Sequence, residues 1–399
     1  MTDTTAPLSR PHVGTTTFAI IAAVSFCHML NDVLQSMLSA IYPMLKEDFG
    51  LDFWQIGLLT FTFQVTASLL QPLFGLVIDK RPMPYSLPFG MGSSLVGLLL
   101  LAVANSYAML LLGAALIGIG SAVFHPEASR VARMAAGGRY GMAQSFFQVG
   151  GNFGQAIGPL LAAFIVVVRG QSSVAWFALG ALVGIFVLWR VGRWYEHQRR
   201  AAVARGVTSA IMPLGGGRTA FILVILMLLT FTKNIYTASI SSYYTFYTIE
   251  RFDLSIQSAQ IMLFLFLGAI AVGTAIGGPI GDRIGPKAVI WFSILGALPF
   301  TLAMPYVGLF WTGVLSVIVG LIIASAFPAI VVMAQELVPG RVGMVAGIFF
   351  GFAFGMGGIA AAVLGVVADA RGIEYVYWLC SFLPLMGLLA VFLPNLHKN

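Results

Sequence analysis

The chain repeats itself in one direction. Gly75 and Asp79 return 203 positions later as Gly278 and Asp282. At the same offset Asn31 returns as Asn234, Glu47 as Glu250, Phe49 as Phe252 and Leu51 as Leu254. Arg139-Tyr-Gly141-Met142 returns at an offset of 202 as Arg341-Val-Gly343-Met344. Matches in one order on both sides of a basic middle segment predict two homologous halves. A strongly apolar chain with such halves is expected to work at the seam between them.

Apolar residues make up 59% of 399, charged residues 9%, and the mean hydropathy is +0.94. A water-soluble surface needs far more charge. The apolar residues come in runs of roughly 20 or more, enough for a helix to cross a bilayer core of about 30 Å. Without water at that depth the backbone must satisfy itself, which selects helices. Cys27 and Cys380 are the only cysteines and lie in apolar runs, so no disulfide framework is expected. The polar start, Met1 to Thr16, precedes a long apolar stretch with no small-residue cleavage site, and reads as the lead into a retained first helix.

Twelve spans are expected, at 17–45, 53–78, 85–104, 107–133, 140–168 and 172–194, then 218–247, 255–280, 287–305, 308–335, 342–368 and 373–394. The fold class is therefore an all-α multi-pass membrane protein of two pseudo-symmetric six-helix bundles, 1–194 and 218–399. A basic linker, 195–217, joins them. Sixteen of the 21 Lys and Arg residues fall on one side of this arrangement and four on the other, with Lys233 inside a span. By the positive-inside rule both termini and the linker are expected in the cytoplasm. The net charge of +7 is thus a topology signal rather than a nucleic-acid footprint.

Gly75-Leu-Val-Ile-Asp79-Lys80-Arg81 and Gly278-Pro-Ile-Gly-Asp282-Arg283-Ile-Gly285-Pro-Lys287 each follow the second span of a half. Both resemble the G-x-x-x-D-R-x-G-R-K loop signature of the major facilitator superfamily, the first copy lacking the later glycine. Glycine lets helices approach closely, and aspartate can cap a neighbouring helix end. In the fifth span Gly154-Gln-Ala-Ile-Gly158-Pro159-Leu-Leu-Ala162-Ala163 is similar to the antiporter motif of drug exporters, with alanine in place of the last two glycines. On chemistry alone it is a helix-packing face; the resemblance adds antiport. In the fourth span the arginine of another superfamily motif is replaced by Ala114, so any proton coupling must use other groups. Asn31-Asp32, the stretch Ser121 to Arg130 and the stretch Gly141 to Gly154 resemble the fosmidomycin-resistance branch. That resemblance implies export of a small phosphonate or similar amphipathic drug in exchange for protons, across a bacterial inner membrane.

Ionisable residues within spans are costly and so are functional candidates: His28, Asp32, His125, Glu127 and Lys233. Asp32 lies about sixteen residues into its span, near mid-depth by helix rise, where desolvation favours a neutral carboxyl able to take and release a proton. His28 is four residues earlier on the same face. The alternative is a structural Asp bonded to a neighbouring helix. Lys233 sits at matching depth in the seventh span. The first, fourth, seventh and tenth spans line the cavity in the superfamily; if Asp32 and Lys233 face each other there, Lys233 either holds an anionic substrate in competition with the proton or only neutralises the carboxylate. His125-Pro126-Glu127 is expected to kink the fourth span and form a polar patch. Glu127 then carries a proton or braces Arg130 at i+3. Gln144, Gln148, Asn152 and Gln155 share one face of the fifth span, to line the pathway or to bond another helix. Asn31, Gln148, Asn152 and Tyr236 complete the expected substrate contacts. Gly75, Asp79, Arg130, Gly278, Asp282, Arg283, Gly154, Gly158 and Pro159 complete the gating set. No ligand spacing supports metal binding by His28, His125 and Glu127, and no metal is expected.

The expected function is a proton-coupled antiporter exporting a small toxic compound by alternating access. A proton symporter or facilitator for a metabolite anion is the alternative. A membrane-embedded enzyme would need a nucleophile–base set, and a primary pump a nucleotide-binding signature; neither is found. The partners expected are the substrate, protons and the lipid bilayer, with no nucleic acid and no cofactor beyond the proton gradient. A monomer is expected.

Overall fold

The computed structural model describes residues 16–204 and 214–396. Among them there is no strand, and twelve helices are long and apolar enough to cross a membrane. Spans 1 to 6 run Phe18–Ala40, Trp54–Lys80, Ser86–Val103, Tyr107–Ala135, Tyr140–Arg169 and Gln171–Ala201. Spans 7 to 12 run Gly216–Phe252, Ile261–Ile284, Pro286–Tyr306, Leu309–Leu337, Val342–Arg371 and Ile373–Phe392. The pattern of apolar runs and breaks therefore located every span.

The limits differ where local chemistry intervenes. Span 1 ends at Ala40, and a separate short helix, Tyr42–Asp48, follows. Helical backbone carries span 6 on to Ala204, so the first part of the expected linker is helix, laced by an Arg200–Glu196 pair at i,i+4. The rest of the linker, 205–213 with Arg205, lies outside the described residues. So do residues 1–15 with Arg10, and 397–399 with Lys398.

Prolines mark the irregularities. Pro159 supplies no backbone N–H, and a wide turn at Ala162–Val166 follows it. Helical backbone continues through Pro126 in span 4, whereas span 10 is interrupted at Ser325, three residues before Pro328.

Within the first half, span 1 packs on span 5 and span 4 on spans 2 and 3. Within the second, span 7 packs on span 11 and span 8 on span 10. Span 4 packs on span 11 and span 10 on span 5, and the halves meet most extensively at two contacts, span 2 against span 11 and span 5 against span 8. The 203-residue repeat makes these equivalent, because span 8 is the counterpart of span 2 and span 11 of span 5. Close approach there depends on glycine. A Cβ at Gly75 would run into the Gly343 carbonyl, and one at Gly278 into the Gly141 carbonyl.

Candidate functional site

One turn of span 1 and one turn of span 4 meet in the middle of the first half. His28 and Asp32 lie at i and i+4 on span 1, so they share a face, and His125 comes from span 4. All three are buried. His28 Nε2 lies 3.6 Å from Asp32 Oδ2, and His125 Nε2 lies 3.6 Å from Asp32 Oδ1. The two imidazole Nε2 atoms are 3.2 Å apart. His28 Nδ1 donates to the Phe147 carbonyl at 2.7 Å, and His125 Nδ1 donates to the Ser121 carbonyl at 3.0 Å. A carbonyl only accepts, so in each neutral ring the proton is on Nδ1 and the Nε2 lone pair faces inward.

The carboxylate is held by amides. Asn31 Nδ2 and Gln35 Nε2 each donate to Asp32 Oδ1 at 3.1 Å, and Gln155 Nε2 donates to Oδ2 at 2.9 Å. Gln35 is oriented by Ser121, whose hydroxyl donates to its Oε1 at 2.9 Å. Aromatic rings wall the cluster. His28 stacks on Phe147 at 4.1 Å between centroids, and His125 meets Phe350 of span 11 at 5.3 Å. A polar group is thus closed on one side by an apolar ring from the other half.

The glycines of span 5 are what allow span 1 to come so near. A Cβ on Gly150 would meet the Ser25 carbonyl, one on Gly154 the Met29 carbonyl, and one on Gly158 the Ser36 hydroxyl. A Cβ on Gly151 would lie 2.5 Å from His28 Nε2. The antiporter-like motif at Gly154, Gly158 and Pro159 is therefore a packing face that docks the Asp32 turn.

A second polar system joins the halves. Asp79, at the end of span 2, accepts hydrogen bonds from the Gly343 and Met344 backbone N–H groups at 3.0 and 2.7 Å. Asp282, at the end of span 8, accepts from Gly141 and Met142 at 2.7 and 2.9 Å. Each carboxylate thus satisfies two orphan donors at the N-terminus of a helix from the opposite half, where the helix dipole favours negative charge. Arg130 Nε lies 3.6 Å from Asp79, and its Nη1 lies 3.3 Å from Glu127 and bonds the Tyr195 hydroxyl.

This placement changes several expectations. Glu127 does not share the Asp32 site. His125 and Glu127, two residues apart on one helix, point to different clusters, and Glu127 braces Arg130. Lys233 does not pair with Asp32; among the described residues no carboxylate lies within 4.0 Å of its ammonium, which lies 5.7 Å from the centre of the Phe327 ring. The reason is that Asp32 is turned into the first half by its amide donors. Tyr236 is buried in the separate apolar core of the second half with Tyr244, Tyr247 and Tyr377. Gln148 bonds Asn152 at 3.4 Å, and Asn152 reaches Thr274 of span 8 at 3.3 Å, so this pair bridges the halves. Arg283 is exposed at the end of span 8.

Sequence reasoning missed Gln35, Ser121, Phe147 and Phe350 as parts of the site. Gln35 had a signal, since i+3 from Asp32 is the next position on its face; Phe350 had none. Folding gathers donor atoms of His28, Asp32 and His125 within 4.8 Å of one another, a set that sequence reasoning did not assemble. A larger cavity of about 580 Å³ lies between spans 7, 11 and 12, bordered by Phe231, Ile235, Met356 and Leu383. It lacks polar side chains and is not where the chemistry gathers.

The sequence profile of the Major Facilitator Superfamily matches residues 24–362 and 223–399. The chain is 59% identical to the fosmidomycin resistance protein of Escherichia coli (strain K12), over 96% of this chain and 95% of that protein. It is 41% identical to the MFS-type transporter YfnC of Bacillus subtilis (strain 168), over 98% of each. Among solved structures, the human organic anion transporter MFSD10 superposes with a TM-score of 0.73 at 20% identity, covering 94% of this chain and 99% of that one. The E. coli fucose:proton symporter FucP gives 0.71 at 16% identity, covering 94% and 98%. At these identities the structures speak to the fold alone.

Proposed function

The chain belongs to the major facilitator superfamily of transporters, in the branch of the fosmidomycin resistance protein, and from that membership we propose that it exports fosmidomycin or a related phosphonate in exchange for protons. The two halves, 1–194 and 218–399, rock about the His28–Asp32–His125 cluster by alternating access. Protons enter through this cluster, and the Asp79 and Asp282 contacts hold the cytoplasmic end shut during the outward-facing part of the cycle. The working location is a bacterial inner membrane, with both termini inside, as a monomer.

One observation carries this reading. A carboxylate, two imidazoles and the Asn31 amide are buried together inside an otherwise apolar bundle, and the half-buried Gln35 and exposed Gln155 amides close on the same carboxylate. Desolvating such groups costs several kcal/mol, and their retention in membrane spans is explained by use rather than stability. His125 meets Phe350 of the other half, so a change in the charge of the cluster is felt where the halves part. Lys233, in the second half with no carboxylate within 4.0 Å among the described residues, suits the phosphonate.

Inverted vesicles test the direction. Addition of fosmidomycin to vesicles holding an imposed pH gradient dissipates that gradient if the two fluxes are opposed; a gradient that instead steepens assigns symport. Lys233→Ala weakens anionic substrates more than neutral ones, measured as the ratio of their transport rates. Equal losses for both would make Lys233 structural.

A further inference from the structure

We infer that His28, Asp32 and His125 form a binding site for a divalent transition-metal ion of the Zn²⁺ or Co²⁺ class. The inference goes beyond the export reading and does not need proton coupling to hold. A tetrahedral ion about 2.0–2.1 Å from each ligand separates neighbouring ligand atoms by about 3.3 Å. The two Nε2 atoms stand 3.2 Å apart, His28 Nε2 stands 3.6 Å from Asp32 Oδ2, and one ligand atom from each residue lies within 4.8 Å of the other two. Two ligands at i and i+4 of one helix, completed by a third from another helix, is a spacing that zinc proteins use.

The orientation of the rings agrees. Both Nδ1–H groups donate to backbone carbonyls, which fixes the tautomer that leaves Nε2 able to ligate. A straight N–H···N bond of the observed length would set the ring centres about 5.5 Å apart. They are 5.0 Å apart and nearly perpendicular, so the contact departs from a straight N–H···N bond. Asp32 Oδ1 accepts from Asn31 and Gln35 and Oδ2 from Gln155, which leaves one lone pair on Oδ2, 3.6 Å from His28 Nε2, to ligate. Three protein ligands leave one position for an exogenous oxygen donor. The ligand set excludes the hard cations, because Mg²⁺ and Ca²⁺ take oxygen ligands. Burial of all three residues means that the ion enters when the transporter opens.

The test uses the full-length protein in detergent, with any affinity tag removed and bound metal stripped by a chelator. Co²⁺ is added and the visible absorption of a tetrahedral N/O complex is followed. The expected result is a saturating signal equivalent to a single ion per chain, displaced by Zn²⁺ and not by Mg²⁺. His125→Gln and Asp32→Asn each weaken binding by about tenfold or more, while His197→Gln, an exposed histidine on span 6, leaves it unchanged. X-ray absorption on the Zn²⁺-loaded wild-type protein needs no variant and shows imidazole scattering in the first coordination shell. No binding above background overturns the assignment. So does a shell without imidazole, or binding that survives His125→Gln and disappears with His197→Gln.

Discussion

Asp32→Asn abolishes proton-driven export while leaving folded protein in the membrane. The substitution keeps the shape of the side chain and removes its charge. The group then loses the anion that three amides and two imidazoles surround. Asn31, Gln35 and Gln155 are donors to a carboxylate; an asparagine in its place keeps an oxygen for Asn31 and Gln35 and turns its NH₂ toward the exposed Gln155, so the fold is retained. Transport and folding separate cleanly in this design. Export in resistance assays falls to the level of a strain lacking the protein, while elution as a single species from a sizing column is retained. A pH-gradient-driven rate equal to that of the wild type would remove Asp32 from the mechanism.

Gly75→Ala prevents the halves from closing at the Asp79 end. The new Cβ would lie 2.5 Å from the Gly343 carbonyl carbon and 2.7 Å from the Met344 nitrogen. Backbone on both sides of the contact leaves no flexible atom to yield. Overpacking of this kind costs about 1–3 kcal/mol, which lowers the closed population by roughly tenfold at 1.4 kcal/mol. Because Gly278 makes the equivalent approach to Gly141, Gly278→Ala has the same effect, and the double variant is slower than either. The measurement is the rate of cross-linking between cysteines introduced on span 2 and span 11, together with the transport rate. Cross-linking that is as fast as in the parent protein, with full transport, would show that this contact does not limit the cycle. Substrate preference stays unchanged, since neither glycine touches the Asp32 cluster.

The contact between the halves shows how sequence and structure divide the information. Both of its parts were visible as repeats, the Gly75/Asp79 and Gly278/Asp282 loops and the Arg139–Met142 and Arg341–Met344 turns. Their pairing was not. Each loop reaches the turn of the other half, so Asp79 caps Gly343 and Met344 while Asp282 caps Gly141 and Met142. A repeat reports that two units are alike; it carries no information about how they face each other. The span limits were legible for the opposite reason. Apolar runs, prolines and charged ends act through the chain's own neighbours and through the bilayer, and both effects are local in sequence.

The Asp32 site was partly legible. Burial cost alone marked His28, Asp32 and His125, because few ionisable residues lie within spans. The repeat also shows that the site is one-sided: at an offset of 203 the counterparts of His28 and Asp32 are Phe231 and Ile235. Whether Lys233 and Asp32 face each other was not legible, because matching depth in two helices leaves the direction of their side chains open. Rotation about each helix axis decides that, and here the donors from Gln155 and Gln35 turn Asp32 toward spans 4 and 5.

By itself the sequence determined twelve helices, their duplication and the identity of the costly buried groups. Hydropathy, backbone self-satisfaction and desolvation each act residue by residue, so these needed no partner. Only the tertiary structure decided that two histidines and an aspartate would converge, that Glu127 would serve Arg130 instead, and that each half would latch on the other's helix ends. Those outcomes depend on helix rotation and on glycine contacts between segments more than a hundred residues apart, which no local pattern encodes.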